Sequence, residues 1–260
     1  MSKTILKAND ISITFGGLKA VTDFNLDLKS NELLGLIGPN GAGKTTVFNI
    51  LTGVYKPTSG NYEFDGKKID GQKPYKLVEY GMARTFQNIR LFENMSVLDN
   101  VIVANNFNMK YGYLAGTLRL PRYWKEEKKA KEKAIELLEI FDLAKYSDYM
   151  AGNMPYGRQR KLEIARALST GAKVLFLDEP AAGMNPKETE ELMDTIKLIK
   201  EKFGIAIVLI EHDMKLVLGI CERLIVLDGG QTIAEGDPIK VVNQKEVITA
   251  YLGSDDKEDE

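Results

Sequence analysis

The run Gly38-Pro39-Asn40-Gly41-Ala42-Gly43-Lys44-Thr45-Thr46 has the spacing G-x-x-x-x-G-K-[ST], and that combination of residues suits the binding of phosphate groups. Glycines let backbone N–H groups turn inward onto phosphate oxygens with no Cβ in the way. A helix starting at the loop adds unpaired N–H groups and a partial positive charge. Lys44 would then reach the β/γ-phosphates of a nucleotide, and Thr45 would ligate Mg2+. Transfer of a phosphoryl group to water further needs a second oxygen donor for the metal and an oriented nucleophile. Asp178 is suited to hold Mg2+ jointly with Thr45, and Glu179, one residue on, to orient or deprotonate the attacking water. Without a metal, two adjacent buried acids would repel each other and one would stay protonated. His212 could bond the γ-phosphate or the general base, and Gln87 could sense metal or water. A single histidine at a strand end is more often a structural residue, so the order of the surrounding motifs carries its assignment.

These residues lie far apart in the chain and need a scaffold that gathers them. Leu33-Leu34-Gly35-Leu36-Ile37 runs into Gly38, Val174-Leu175-Phe176-Leu177 into Asp178, and residues 205–210 into Glu211-His212. Unbroken apolar runs of this length are strands buried on both faces, as in a parallel sheet. Helix-forming segments between them place the three strand ends around one crevice. The first such segment covers residues 45–53. The helix after Asp178 carries its own signals: Asn185 as N-cap, Pro186 at the first position, Glu188 closing a capping box, and Leu192, Ile196, Ile199 and Phe203 as an apolar stripe before Gly204.

The remaining segments fall into two textures. Period-two alternation over residues 5–28 predicts two antiparallel strands, and Tyr62-Glu63-Phe64-Asp65-Gly66 predicts a hairpin. Phe15, just before Gly16-Gly17, could stack on a nucleotide base or plug the core. A helix over 75–80 should stop at Gly81 and be followed by a strand over 82–87. From Leu91 onward the pattern is helical, with a capping start at Ser96, an irregular stretch at 107–124 that includes Trp124, and a charged amphipathic helix over 125–141 with Ile135, Leu138 and Phe141 on one side. The expected class is therefore α/β: a mainly parallel sheet, an antiparallel β subdomain and an inserted α-helical subdomain. The core would comprise residues 1–90 and 163–254, the insertion about 91–162, and a disordered acidic tail 255–260.

Composition narrows the function. The 35 basic and 37 acidic residues are spread along the chain and leave a net charge of −2, so no global field favours nucleic acid or an anionic membrane. Basic residues interleaved with aromatics before residue 125 could suggest RNA binding, but acids follow at once. Cys221 is the only cysteine, which excludes an internal disulfide and fits a reducing compartment. The N-terminus lacks a signal peptide's apolar core, and no apolar run approaches the ~18 residues of a membrane span. A soluble chain is expected, with any membrane role exerted through a partner.

Taken in order, these motifs resemble those of an ABC-transporter ATPase over essentially the whole chain. Gln87 matches the Q-loop, Asp178-Glu179 the Walker B pair, Ala181 to Asn185 the D-loop, His212 the switch histidine and Phe15 the adenine-stacking aromatic. Met154-Pro155-Tyr156-Gly157-Arg158-Gln159 stands where the family has its L-S-G-G-Q signature, with Gly157 as the firm match. Pro155 removes the signature hydroxyl and an N–H, and Asn185 replaces the D-loop aspartate. Residues 83–92, 162–168 and 180–186 further resemble the larger ATPase subunit of branched-chain amino acid importers. The resemblance implies a P-loop NTPase (RecA-like) core, ATP and Mg2+ as cofactors, and Gly157 facing the nucleotide of a second ATPase subunit. It also implies coupling to transmembrane permease subunits, with the chain peripheral on the inner face of the cell membrane. Competing readings are a lipid or lipopolysaccharide exporter ATPase and a soluble switch of the same fold, although the tandem cassettes or long coiled coils usual in such switches are not visible. A small-molecule kinase would not need the signature, Q-loop and switch histidine together.

Overall fold

A computed structural model describes residues 3–106 and 116–255. Its centre is a six-stranded sheet of order β10-β9-β3-β8-β7-β6. The strands are β3 (Leu33–Ile37), β6 (Met82–Arg84), β7 (Val174–Asp178), β8 (Ala206–Ile210), β9 (Arg223–Asp228) and β10 (Gln231–Gly236). All neighbours pair in parallel except β9 with β10. Every residue of β3, β7 and β8 is buried. Alternate side chains enter opposite cores: Leu33, Leu175, Leu177, Ile207 and Leu209 pack on one face, and Leu34, Leu36, Phe176, Val208 and Ile210 on the other. Burial on both faces accounts for the continuous apolarity of these strands.

The second core is closed by an antiparallel sheet of order β2-β1-β4-β5. It contains β1 (Thr4–Phe15), β2 (Leu18–Lys29), β4 (Ser59–Phe64) and β5 (Lys67–Lys68). Helix α1 (Lys44–Leu51) lies in this core through Val47, Phe48, Ile50 and Leu51, with the Phe48 and Phe176 rings edge to face at 5.3 Å. After α2 (Pro74–Tyr80), Gly81 adopts a left-handed φ of 104° and ends the helix. The following strand stops at Arg84, not at Gln87. The Thr85 N–H still bonds the Phe176 carbonyl at 2.9 Å, but the next two carbonyls accept from a side chain instead of a strand.

A helical subdomain stands between β6 and β7, made of α3 (Val97–Ala104), α4 (Pro121–Ile140) and α5 (Tyr156–Ser169). Ser96 caps α3 by accepting from the Asp99 N–H at 3.0 Å. Helix α4 begins with Pro121 at its first turn, so Trp124 is helical and not part of an irregular stretch; residues 107–115 of that stretch lie outside the described residues. Its buried stripe is Ala130, Ala134, Leu137 and Leu138, while Ile135 is only half-buried. Leu138 and Phe141 of the expected stripe are buried, and Ala130, Ala134 and Leu137 widen the buried face so that its centre is rotated away from Ile135. Helix α5 continues through residues 162 and 163, so one rigid element joins the helical layer to the sheet.

Helix α6 (Pro186–Phe203) has the capping box formed by Asn185 and Glu188 and buries Leu192, Ile196 and Ile199, but Phe203 is largely exposed at its last turn. Three helices complete the chain: α7 (Met214–Ile220), α8 (Pro238–Val242) and α9 (Lys245–Asp255). The end of the chain is helical through Asp255 and not disordered from 255; residues 256–260 lie outside the described residues. Among the described residues no helix is long and apolar enough to cross a membrane.

Cys221 is buried beside β3, where a Cβ on Gly35 would sit 3.0 Å from its Sγ. Burial, followed by the nearby Glu222 and Glu211 charges, pushes its thiol pKa up to about 12. The thiolate is the reactive form. The expected outcome is that iodoacetamide at pH 8 leaves the folded protein unlabelled and modifies it stoichiometrically in denaturant. Rapid labelling under native conditions would contradict this packing.

Candidate active site

The phosphate loop leaves β3 and enters α1 through backbone conformations that only glycine adopts easily. Gly38 has φ 147° and Gly43 φ 99°. A Cβ at Gly38 would collide with the Leu227 carbonyl oxygen, and one at Gly43 would lie 2.8 Å from the Ala20 carbonyl oxygen. Asn40, Gly41, Ala42, Gly43, Lys44, Thr45 and Thr46 line an open cleft of about 460 Å³. Its other walls are residues 18–20, Gly229 and Gly230, and the three side chains Gln87, Glu179 and His212. Lys44 is buried, and its ammonium donates to the carbonyls of Gly38 at 2.7 Å and Pro39 at 2.9 Å. Burial draws its pKa below the ordinary lysine range, against the opposing charges of Glu179 and Asp178. A loop of inward N–H groups around such a cation is suited to a polyphosphate.

Glu179 is the residue on which the cleft converges. It follows β7 with a left-handed φ of 46°, a conformation that costs a non-glycine residue on the order of 1 kcal/mol. Its N–H bonds the Ile210 carbonyl at 2.9 Å, which holds the turn against the end of β8. The carboxylate is gripped from both sides. Gln87 Nε2 donates to Oε2 at 2.9 Å, and His212 Nε2 lies 3.1 Å from Oε1. Sequence positions 87, 179 and 212 thus meet at one carboxyl group, with Gln87 bonded to that carboxylate.

Asp178, the last residue of β7, is buried, and its Oδ2 accepts from Arg84 Nη2 at 2.7 Å. Arg84 Nη1 donates to Asn49 Oδ1 at 2.6 Å and Thr52 Oγ1 at 3.1 Å, tying β6 and β7 to α1. The guanidinium also lies over the Phe48 and Phe86 rings. Sequence reasoning missed this cation, although an arginine ending a strand next to the acid-bearing one was a usable signal. The pair occupies one oxygen of Asp178. The other Asp178 oxygen and the Thr45 hydroxyl are hard oxygen donors, chemically suited to Mg2+ were the two to share an ion.

Glu211 was also missed. It is buried at the end of β8, where Oε1 accepts from the Ala181 N–H at 2.8 Å and Oε2 from the His212 N–H at 3.1 Å. Burial raises its pKa above the usual carboxylate range, and those backbone donors oppose the shift. It fastens the loop after Glu179 to the one that carries His212. Asp213 then caps α7 by accepting from the Lys215 and Leu216 N–H groups.

Two expected site residues stand apart. Phe15 does not line the phosphate cleft; it is 43% exposed at the β1 end, its ring edge to face with Tyr55 at 5.2 Å. It is therefore no core plug. Gly157 opens α5 beside α6, where a Cβ would lie 2.9 Å from Glu188 Oε1, and it does not share the cleft formed by its own chain. Pro155 is the N-cap of α5 and gives that end no side-chain hydrogen bond.

Comparison with known proteins bears on this arrangement. The ABC transporter family model matches residues 21–182, a stretch that holds the phosphate loop, Gln87 and the Asp178-Glu179 pair. The chain belongs to the ABC transporter ATP-binding family. A second model, for branched-chain amino acid ATP-binding cassette transporters, matches residues 231–257 of this cassette. The cassette is similar to the high-affinity branched-chain amino acid transport ATP-binding protein LivG of Escherichia coli, with 45% identity over 97% of this chain and 99% of that one. It is 43% identical to the corresponding protein BraF of Pseudomonas aeruginosa, again over 97% of this chain and 99% of the relative. A solved ABC-transporter cassette in its ADP conformation superposes with a TM-score of 0.84 at 32% identity, covering 97% of this chain and 100% of that one.

The Glu211 bonds generate a stability test. Glu211→Ala leaves two backbone N–H groups without their acceptor and is expected to cost about 1–3 kcal/mol, read as a lower midpoint in urea. Glu211→Gln keeps one acceptor oxygen and should lose less. An alanine variant as stable as the parent would contradict the fastening role.

Proposed function

We propose that this chain is the ATP-binding and ATP-hydrolysing motor subunit of a membrane ABC importer for branched-chain or other hydrophobic amino acids. The observation that carries the reading is the juxtaposition in one cleft of the phosphate loop with a Glu179 carboxylate held by Gln87 and His212, in a chain that matches branched-chain transport cassettes over nearly its full length.

In this reading the loop N–H groups and the N-terminus of α1 receive the ATP phosphates. Lys44 exchanges its bonds to the Gly38 and Pro39 carbonyls for the β/γ-phosphate oxygens. Thr45 and Asp178 hold Mg2+, which supplies charge neutralisation at the phosphates when bound, and Gln87 stands at the edge of that site. Glu179 accepts the proton of the attacking water, and its two clamps keep the carboxylate pointing into the cleft. His212, bonded to the other carboxylate oxygen from Gln87, would reach the γ-phosphate in this reading. Phe15, exposed at the end of β1 although outside the lining of the phosphate cleft, would stack on adenine.

Gly157 does not line the cleft of its own phosphate loop, and in this reading it acts on the nucleotide held by a second ATPase subunit. The partners are that subunit and transmembrane permease subunits, which would place the chain at the inner face of the cell membrane without inserting into it.

Three experiments test this. Lys44→Ala should weaken nucleotide binding by roughly ten- to a hundredfold, as expected for losing a charge-assisted hydrogen bond. Glu179→Gln should keep binding and lower kcat by at least about a hundredfold; an unchanged phosphate-release rate would sink the general-base assignment. Because Pro155 lacks the signature hydroxyl, the Glu179→Gln protein alone is expected to form an ATP-trapped homodimer weakly, and Pro155→Ser to strengthen it. Size-exclusion profiles with ATP decide the matter: a tight homodimer indifferent to Pro155→Ser would remove this argument for a different ATPase subunit as the natural partner.

A further inference from the structure

Arg160 is fully buried in the first turns of α5, and nothing in the chemistry described so far uses it. Its guanidinium forks between two successive backbone carbonyls: Nη1 donates to Phe86 O at 2.6 Å and Nη2 to Gln87 O at 2.6 Å. Nη1 also donates to Glu163 Oε2 at 2.9 Å, and Nη2 to the Tyr156 hydroxyl at 3.1 Å. Glu163, buried one turn further along α5, accepts the Arg90 N–H on Oε1 at 3.2 Å. Two side chains of one helix therefore hold both ends of the segment 86–90, the stretch that leaves β6 and carries Gln87.

Stability alone is a poor reason for this arrangement. Burying a charge pair is costly, and an apolar pair of similar volume is often at least as stable. Among the described residues the Arg160 Nε–H also has no acceptor, a further cost. What the pair supplies is geometry. A planar fork can fix two adjacent carbonyls at once, which an apolar contact or a single ammonium cannot do. The fixed backbone is that of the residue whose amide donates to Glu179. The bonds form one continuous path: the Tyr156 hydroxyl at the signature position, the Arg160 guanidinium, the Gln87 carbonyl, the Gln87 amide and the Glu179 carboxylate. Tyr156 is 44% exposed, so the path starts at the surface next to Gly157.

We propose that Arg160, supported by Glu163, is a positioning residue for ATP hydrolysis that locks the backbone at 86–87 to the signature helix and thereby holds the Gln87 amide on Glu179. A shift of α5 then moves Gln87, and a contact on Tyr156 from outside the chain bears on the same lock. The inference rests on the assignment of Gln87 and Glu179 made above, and the single variants separate the two.

The test is a double-mutant cycle on ATP turnover in the full-length chain assembled with its permease, comparing Gln87→Ala, Arg160→Gln and the double variant. Each single change is expected to lower kcat on the order of tenfold, the scale of a small misplacement in an active site, with the KM for ATP within about twofold because the phosphate loop is untouched. The double variant should be no worse than the more damaged single one. Arg160→Lys should not rescue, since one ammonium does not form the fork. A normal kcat for Arg160→Gln alongside a reduced one for Gln87→Ala overturns the proposal and leaves the Gln87 assignment standing. Effects that multiply in the double variant overturn it as well. An unchanged kcat for Gln87→Ala removes the Gln87 assignment and the lock together. Should Arg160→Gln fail to fold, the cycle of Tyr156→Phe with Gln87→Ala reads the same path: a loss that disappears in the Gln87→Ala background supports the lock, and an additive loss overturns it.

Discussion

The Glu179 carboxyl group is bonded to residues 92 positions before it and 33 positions after it in the chain, and the sheet is what makes that possible. In a parallel sheet every strand delivers its following loop to the same edge. Strands β3, β8, β7 and β6 are consecutive neighbours, so the phosphate loop, the turn at His212, the turn at Glu179 and the segment with Gln87 emerge side by side. Their register is set by burial. A slip of one residue in β7 would exchange Leu175 and Leu177 for Phe176 between the two cores. The same slip would turn Asp178 from its arginine. The requirement for two dry cores thus also fixes the position of the acids.

Within that frame three cations do different work at short range. Lys44 is held by carbonyls of its own loop, a weakly bound arrangement for an ammonium that a polyphosphate can outcompete. Arg84 neutralises Asp178 and anchors it to Asn49 of α1 and to Thr52, the residue that caps that helix's C-terminus. Arg160 satisfies carbonyls that have left the ladder. Asp178 is matched by Arg84 and Glu163 by Arg160, while buried Lys44 and Glu211 are satisfied by backbone groups; the exposed ion pairs elsewhere, such as Lys76 with Glu79, contribute little to stability.

The site also shows where chain geometry sets a limit. Pro155 and Gly157 open a helix that starts beside Glu188 of α6, and neither lines the phosphate cleft. Helix α5 nevertheless reaches the cleft from behind, through buried side chains one turn into the helix. One rigid element thus presents a surface at its first turn and touches the back of Gln87 with its next.

Much of this was legible in the sequence because it depends on local chemistry. The strands β3, β7 and β8 announce themselves by uniform apolarity, and the glycine-lysine-threonine loop by a spacing that has few other uses. The start of α6 follows from Asn185, Pro186 and Glu188, whose capping bonds span three residues. Assignments that need a partner distant in the chain were not available. Nothing local says that β6 ends at Arg84, because the competing acceptors' donor is Arg160, more than seventy residues away. The rotation of the α4 stripe follows from which neighbours it meets, and Phe15 is exposed because its ring found Tyr55 instead of the core. Sequence by itself determined the residues able to bind phosphate and move a proton. Only the tertiary structure decided which of them share a carboxylate, which acid is paired with Arg84 and which buried arginine holds Gln87, because hydrogen bonds and ion pairs act over about 3 Å whatever the separation along the chain.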